Sequence, residues 1–140
     1  MEEIMRKTLL LLCCALLAAA CAKTASGPDM DSILDREWRL GYHGDKPVID
    51  DSTVTVIFKK GGSLSGSAGC NSYSGSWEMK DGMLRMGPFN STTVLCPDTL
   101  MKQEKRFLQH MQRATHMDLD NTGALLIFVK GETKPMLFRQ

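Results

Sequence analysis

The sequence predicts a mostly β (α+β) fold: a curled antiparallel sheet with one amphipathic helix inserted before the last hairpins. Most of residues 33–140 consists of short apolar runs separated by turn signals, which is typical of strands and hairpins. The segment from Asp98 to about Thr115 instead has the period of a helix. We expect the sheet to curl, because curling hides unpaired strand edges from other chains.

The strands are predicted from their apolar faces and from the turns between them. Alternation in WRLGY places Trp38, Leu40 and Tyr42 on one face of the first strand. A second strand, TVTVIF, has three apolar residues on one face: Val54, Val56 and Phe58. Four turn signals separate the later strands: Gly61-Gly62, Asp81-Gly82, Asn121-Thr122-Gly123 and KGETK at 130–134.

The helical segment carries apolar side chains on one face and charged side chains mostly on the others. The apolar positions are Leu100, Phe107, Leu108 and Met111. Asp98 or Thr99 is expected to cap the start of the helix by accepting a hydrogen bond from a free backbone N–H. Glu104 lies midway between Leu100 and Leu108, so it should be half-buried beside the apolar stripe.

Glu104 is a candidate structural or binding residue, because a half-buried carboxylate needs hydrogen-bond donors. We expect those donors to be backbone N–H groups of the 69–75 loop or a nearby side chain. The rival interpretation is a general acid or base with a raised pKa. No partner carboxylate lies in an obvious motif, so the sequence favours the structural role.

The start of the chain has the features of an export signal. The basic stretch MEEIMRK precedes an uncharged run that ends at Cys21 and is too short for a transmembrane helix. Its ending, AAAC at 18–21, resembles a bacterial lipoprotein lipobox, although leucine is usual at the first position. The resemblance implies that residues 1–20 are a signal peptide and that Cys21 is lipidated. The small, polar residues that follow, interrupted by Gly27-Pro28, predict a flexible tether over 21–32.

The lipoprotein resemblance implies a lipid-anchored protein of the cell envelope, with the membrane as a partner through the N-terminal anchor. Ala22 follows the cysteine, where many enteric lipoproteins retained at the inner membrane have aspartate. We therefore expect an outer-membrane protein that faces the periplasm. The formal net charge is only +1 and no basic block stands out, so no nucleic-acid partner is expected.

Cys70 and Cys96 are the cysteines that remain beside Cys21 after removal of the signal peptide. In an oxidising compartment such cysteines are usually paired, and a bridge would close a loop of about 27 residues worth roughly 3 to 4 kcal/mol. Their Cα atoms would then lie roughly 4.4 to 6.8 Å apart. A nucleophile, a redox pair and two reduced thiols are the alternatives, although no histidine motif supplies a base.

Five short motifs along the domain form a series. They are Trp38-Arg39-Leu40, GCN-x-Y-x-G from Gly69 to Gly75, T-T-x-x-C from Thr92 to Cys96, M-x-x-E-x-x-F from Met101 to Phe107, and Leu126-Ile127-Phe128. The series resembles the META domain family, which includes the HslJ-like heat-shock lipoproteins of bacteria. The resemblance implies a small, partly barrel-like domain over residues 33–140, an envelope location, and a loose link with stress or antibiotic tolerance. It implies no enzyme mechanism.

The stretch SAGCNSYSG contains the candidate site residues Gly69, Cys70, Asn71, Tyr73 and Gly75. One interpretation is a structural corner, because asparagine tolerates a left-handed backbone and glycine allows bends where a sheet curls. The other interpretation is a binding rim, because polar loops on a rigid barrel are common recognition sites. The sequence favours the structural corner.

No enzyme site can be assembled from the sequence. A catalytic centre needs a convergent nucleophile, acid or base, and His43, His110 and His116 lie in no such motif. We therefore expect a non-enzymatic protein without cofactor or metal. The family resemblance implies that it supports stress or antibiotic tolerance, which we expect it to do by binding a protein or another envelope component. The alternative is a carrier of a small ligand inside an open barrel, which needs a lined cavity.

Overall fold

The computed structural model of the protein describes residues 27–140, so the predicted signal peptide and Cys21 lie outside the described residues. In chain order the described elements are α1 (Met30–Ile33), β1 (Glu37–His43), β2 (Lys46–Pro47), β3 (Thr55–Phe58), β4 (Ser63–Ser67), β5 (Ser72–Lys80), β6 (Met83–Ser91), α2 (Asp98–Gln112), β7 (Ala114–Leu119), β8 (Leu125–Val129) and β9 (Met136–Arg139). Helix α1 lies partly within the segment predicted to be a tether. No helix among residues 27–140 has the length and apolar character needed to cross a membrane.

The strands of the described chain form one antiparallel sheet, in the order β6-β5-β4-β3-β1-β9-β8-β7, with β2 paired to β1. The two ends of this order meet, because β6 and β7 lie side by side with Cα atoms within 8 Å. No backbone ladder joins these two strands in the described structure. The result is a nearly closed barrel with one seam, and the predicted fold class is confirmed.

The predicted hairpins form where the turn signals lie. Asp81 and Gly82, between β5 and β6, have φ angles of 53° and 75°. Positive φ at both central residues is what a type I′ turn requires, and this turn matches the twist of the two strands it joins. The signals before β4, β8 and β9 also coincide with turns between antiparallel partners.

The alternation of buried and exposed residues in β1 shifts by one position part-way along the strand. Trp38 and Leu40 are buried as predicted, but Tyr42 is 51 % exposed, so its predicted place on the same face is wrong. The pairing of β1 with β9 shifts by one residue between Leu40 and Tyr42, which indicates a β-bulge. Because a one-residue shift exchanges the two faces of a strand, His43 is buried instead.

Helix α2 packs on the barrel through Phe107 and Met111, which are fully buried. The prediction that Asp98 or Thr99 caps the helix is wrong, because the N-cap residue is Pro97 and no side chain makes the capping hydrogen bond. The Pro97 carbonyl accepts the first helical hydrogen bonds. Asp98 and Thr99 lie inside the first turn, where the Asp98 carboxylate interacts favourably with the helix dipole.

The interior of the barrel is filled by side chains from the strands and from α2. Its largest fully buried members include Trp38, Phe58, Phe107 and Phe138. Trp38 also donates a hydrogen bond from Nε1 to the carbonyl oxygen of Ile33 at 2.9 Å, which fixes α1 to the first strand. The barrel is therefore a packed core.

Candidate functional site

Cys70 and Cys96 form a disulfide with Cα atoms 6.1 Å apart, inside the range expected from the sequence. The predicted pairing is confirmed, and neither sulfur is a free thiolate that could act as a nucleophile. Cys70 lies between β4 and β5, whereas Cys96 lies in the exposed segment that joins β6 to α2. We call this segment, residues 92–97, the clamp loop.

Asn71 is 2 % exposed, and its side chain joins the clamp loop to α2. Its Oδ1 accepts hydrogen bonds from the backbone N–H of Val94 at 2.7 Å and from Oγ1 of Thr92 at 2.8 Å. Its Nδ2 donates to the Val94 carbonyl oxygen at 3.2 Å and to Glu104 Oε1 at 3.0 Å. The amide therefore uses its full hydrogen-bonding capacity in one buried position.

Glu104 is buried, and it is the residue of helix α2 that takes part in this hydrogen-bond network. In addition to the bond at Oε1, its Oε2 accepts from the backbone N–H of Asn71 at 2.8 Å. These are the donors expected from the sequence: a backbone N–H of the 69–75 loop and a nearby side chain. Because one residue engages both carboxylate oxygens, Glu104 fixes the turn that carries Asn71.

The backbone of the same turn requires glycine at position 69. Gly69 has a φ of 105°, and a Cβ there would lie 2.8 Å from Ser52 Oγ and 3.1 Å from Gln103 Nε2. Next to it, the N–H of Ala68 donates to the carbonyl oxygen of Asn71 at 2.8 Å and closes the turn. This geometry supports the interpretation of the stretch as a structural corner.

Tyr73 and Gly75 follow on β5 and take part in packing. The buried Tyr73 hydroxyl donates to the carbonyl oxygen of Thr55 at 2.8 Å, and its ring meets Phe107 edge-on with centroids 5.5 Å apart. Burial raises the pKa of Tyr73 well above its usual range, so the hydroxyl stays a donor. A Cβ at Gly75 would lie 2.5 Å from the Phe89 ring, which explains the small residue there.

The clamp loop presents two apolar side chains to solvent: Leu95 is 91 % exposed and Val94 is 58 % exposed. The backbone of Val94 is hydrogen-bonded to Asn71 and Cys96 forms the disulfide, so the loop is held on both sides of Leu95. The sequence TTVLC carries no signal for this exposure, because two successive apolar residues fit a buried strand equally well. Neither residue could be singled out before the fold was known.

A second polar cluster is the buried pair His43 and His110. His43 Nε2 lies 2.6 Å from His110 Nδ1, and His110 Nε2 lies 3.6 Å from Glu132 Oε1. Because a carboxylate only accepts, we assign the His110 proton to Nε2, so that its Nδ1 accepts from His43. The sequence did not reveal this pair, since 67 residues separate the two rings and a β-bulge turns His43 inward.

Burial, together with the neighbouring His110, Arg106 and Lys46, lowers the pKa of His43 to about 4, and burial is the largest of these causes. Burial also lowers the pKa of His110, although the Glu132 carboxylate acts in the opposite direction. Both rings are therefore neutral at pH 7. A group with a pKa near 4 is poorly matched to proton transfer at neutral pH.

We expect His43 to remove about 2 to 3 kcal/mol from the free energy of unfolding as the pH falls from 6.5 to 4. Its pKa is lower in the folded state, so the unfolded state takes up the proton first and stability decreases with acidification. Denaturant titrations over this pH range measure the effect. His43→Gln should show a smaller pH dependence than the unsubstituted protein, and equal slopes would contradict the assignment.

Three further features could mark a functional site: a metal-binding group, the third histidine and an unpaired buried polar atom. Within residues 27–140 no group of three or more His, Cys, Asp or Glu side chains is arranged to hold a metal ion. His116 lies apart from the histidine pair and stacks on Phe128 with ring centroids 4.2 Å apart. In the same part of the chain, no buried side-chain nitrogen or oxygen lacks a hydrogen-bond partner.

The fold and the clamp define a small antiparallel barrel whose long helix is tied to a disulfide-bonded turn. The chain belongs to the META domain family, whose family model matches residues 31–140, and the resemblance drawn from the motifs is confirmed. An NMR structure of a protein from Burkholderia xenovorans has a TM-score of 0.62 and 20 % identity, covering 86 % of this chain and 94 % of that one. A second NMR structure has a TM-score of 0.61 and 20 % identity, covering 78 % and 92 %. At this identity the likeness shows the fold alone, and no curated protein is significantly similar to the chain.

Proposed function

We propose that the protein is a non-enzymatic, lipid-anchored protein of the bacterial envelope that binds a protein partner through the clamp loop. The exposure of Leu95, 91 %, beside Val94, is the observation that carries this proposal. Single apolar side chains on a surface need no explanation. This pair, however, lies on a loop fixed by a disulfide and by Asn71, so little conformational entropy is lost when a partner orders it.

The clamp loop has the character of an interface anchor. Exposed Thr92, Thr93 and Asp98 flank its apolar tip in sequence. A central apolar side chain with polar surroundings is the usual composition of a small protein interface. The partner should therefore offer an apolar pocket for Leu95. The link with stress or antibiotic tolerance comes from the family resemblance and would operate through this partner.

The envelope location is supported by two independent features. The AAAC ending of the N-terminal apolar run resembles a lipobox and implies acylation of Cys21. The bond between Cys70 and Cys96 suits an oxidising compartment such as the periplasm, because cytosolic thiols are kept reduced. Ala22, in place of aspartate, favours the outer membrane.

The chemistry of the two polar clusters supports a non-enzymatic role. In the clamp, the cysteine sulfurs are bonded to each other and both oxygens of Glu104 are occupied by Asn71. In the histidine pair, the pKa of His43 is too low for an effective base at neutral pH. The alternative of a small-ligand carrier is weakened because side chains fill the barrel interior.

Site-specific photo-crosslinking tests the partner. A photoreactive amino acid replaces Leu95 in the full chain, which is expressed in a bacterium and irradiated before mass spectrometry of crosslinked products. We expect an envelope protein to be enriched. Met83, 50 % exposed at the start of β6, is the matched control position for the same amino acid. The proposal fails if position 95 enriches no protein above the level seen at position 83.

The anchor is tested in the same cells. Cys21→Ser removes the thiol that would be acylated, so we expect the protein to move from the membrane fraction to the soluble fraction. Retention of Cys21→Ser in the membrane fraction would argue against a lipid anchor. Because the crosslink is read separately, the partner and the anchor can succeed or fail independently.

A further inference from the structure

A pocket of about 350 Å³, separate from the clamp loop, lies between the β1–β2 hairpin and helix α2. Its polar lining consists of His43, Lys46, Thr99, Lys102, Gln103 and Arg106. We call it the basic pocket. We propose that the basic pocket binds the phosphate group of a small phosphorylated ligand or of a lipid head group.

Three cations converge on the basic pocket from two elements. Lys46 comes from β2, whereas Lys102 and Arg106 stand one turn apart on the same stripe of α2. Lys46 and Arg106 both line the pocket beside His43, and both lower the pKa of that ring. Three like charges in a concave site create a field that attracts anions.

One carboxylate beside the pocket is paired elsewhere. Asp45, in the turn beside Lys46, pairs with Lys134. Within residues 27–140 no ion pair is formed by Lys46, Lys102 or Arg106. No ion pair among the described residues therefore neutralises these three side chains of the pocket.

Hydrogen bonds within the protein fix the wall of the basic pocket. Gln103 Oε1 accepts from the backbone N–H of Ile49 at 2.8 Å, and its Nε2 donates to Ser52 Oγ at 2.7 Å. These bonds hold the segment after β2 on the helix. On the inner side, the bond between His43 and His110 holds a buried ring against the pocket. Preorganised walls reduce the free-energy cost of binding.

A phosphate group suits this arrangement better than a single carboxylate. A dianionic phosphate can accept charge-assisted hydrogen bonds from both lysines, while the guanidinium of Arg106 binds two of its oxygens at once. A volume of about 350 Å³ is also larger than one phosphate ion, so glycerol, a sugar or a second phosphate could be accommodated. Phosphorylated metabolites and phospholipid head groups share this chemistry.

Isothermal titration calorimetry tests the proposal with the full chain as the expressing bacterium processes it, purified in a non-ionic detergent. The probes are inorganic pyrophosphate, glycerol phosphate and the short-chain lipid dihexanoylphosphatidylglycerol. We expect at least one probe to bind with a dissociation constant below roughly 1 mM. Lys102→Gln and Arg106→Gln should each weaken that binding about tenfold, since each removes charge-assisted hydrogen bonds.

Lys105→Gln is the matched control, because it removes the same charge from the same helix outside the pocket. Its affinity should stay within about twofold of the unsubstituted protein. Tighter binding of the lipid than of the free phosphates supports a membrane source, and the reverse order supports a soluble source. The proposal is overturned if no probe binds, or if Lys105→Gln weakens binding as much as Arg106→Gln. All three side chains are exposed, so folding should be unaffected, and melting temperatures without ligand check this.

Discussion

Asn71→Ala is expected to lower the free energy of unfolding by about 3 to 5 kcal/mol. The substitution removes four hydrogen bonds from a buried position. It leaves Glu104 Oε1 and the backbone groups of Val94 without these partners, and a buried charged group that loses a donor is especially costly. Urea titration at pH 7 measures the effect. A loss below about 1 kcal/mol would show that water replaces the amide without difficulty.

The stabilities of three further variants serve as controls for the Asn71→Ala experiment. Ser74→Ala, at an exposed position on β5, should change stability by less than about 0.5 kcal/mol. Asn71→Asp keeps the size of the side chain but sets a second carboxylate against Glu104, so its stability should recover partly as the pH is lowered. Asn71→Ala combined with Glu104→Gln should cost less than the sum of the single changes, because the two residues share hydrogen bonds. Strict additivity would contradict the coupling.

Removal of the disulfide by the double substitution Cys70→Ser and Cys96→Ser is expected to lower the free energy of unfolding by about 3 to 4 kcal/mol. The two cysteines are 26 positions apart, and the bridge restricts the unfolded chain by closing the loop between them. The folded state should be retained, since Asn71 still holds the clamp loop. Guanidinium titrations of the two proteins under non-reducing conditions give the difference.

A reducing agent provides the control for the disulfide experiment. The reductant should lower the free energy of unfolding of the unsubstituted protein to about that of the double variant. The free energy of unfolding of the double variant should not change. If the reductant changes the stability of both proteins equally, the change is not caused by breaking the bond between Cys70 and Cys96. If the unsubstituted protein and the double variant have the same stability, the restriction of the unfolded chain is not a significant source of stability here.

Local sequence signals were sufficient where the chain's own chemistry decides the structure. Asp81-Gly82 predicts its hairpin because both residues adopt positive φ readily in a two-residue turn. The pairing of Cys70 with Cys96 was predicted from the expected compartment and from the number of cysteines left after processing. The donors to Glu104 were predicted because a carboxylate on an apolar helix face must be satisfied.

Features set by distant parts of the chain could not be predicted. The bulge in β1 arises in its pairing with β9; the isolated Gly41 permits a bulge at this point, but the segment WRLGYH does not by itself determine the shift that exposes Tyr42 and buries His43. Likewise, the exposure of Leu95 and the assembly of Lys46 with Arg106 depend on how the segments around α2 pack. The capping error at Asp98 has a local cause instead, because Pro97, one position earlier, occupies the N-cap.

The position of β9 in the sheet has a consequence for biosynthesis. β9 lies between β1 and β8 in the sheet. In the ladder between β1 and β9, Arg39 is the register partner of Arg139. Without residues 136–139 the sheet would separate into β6-β5-β4-β3-β1 and β8-β7, joined only along the seam. Pairing over so long a stretch of chain forms slowly and late. The barrel therefore cannot be completed on the ribosome before these residues are made, so β1 and β8 keep unpaired edges until then.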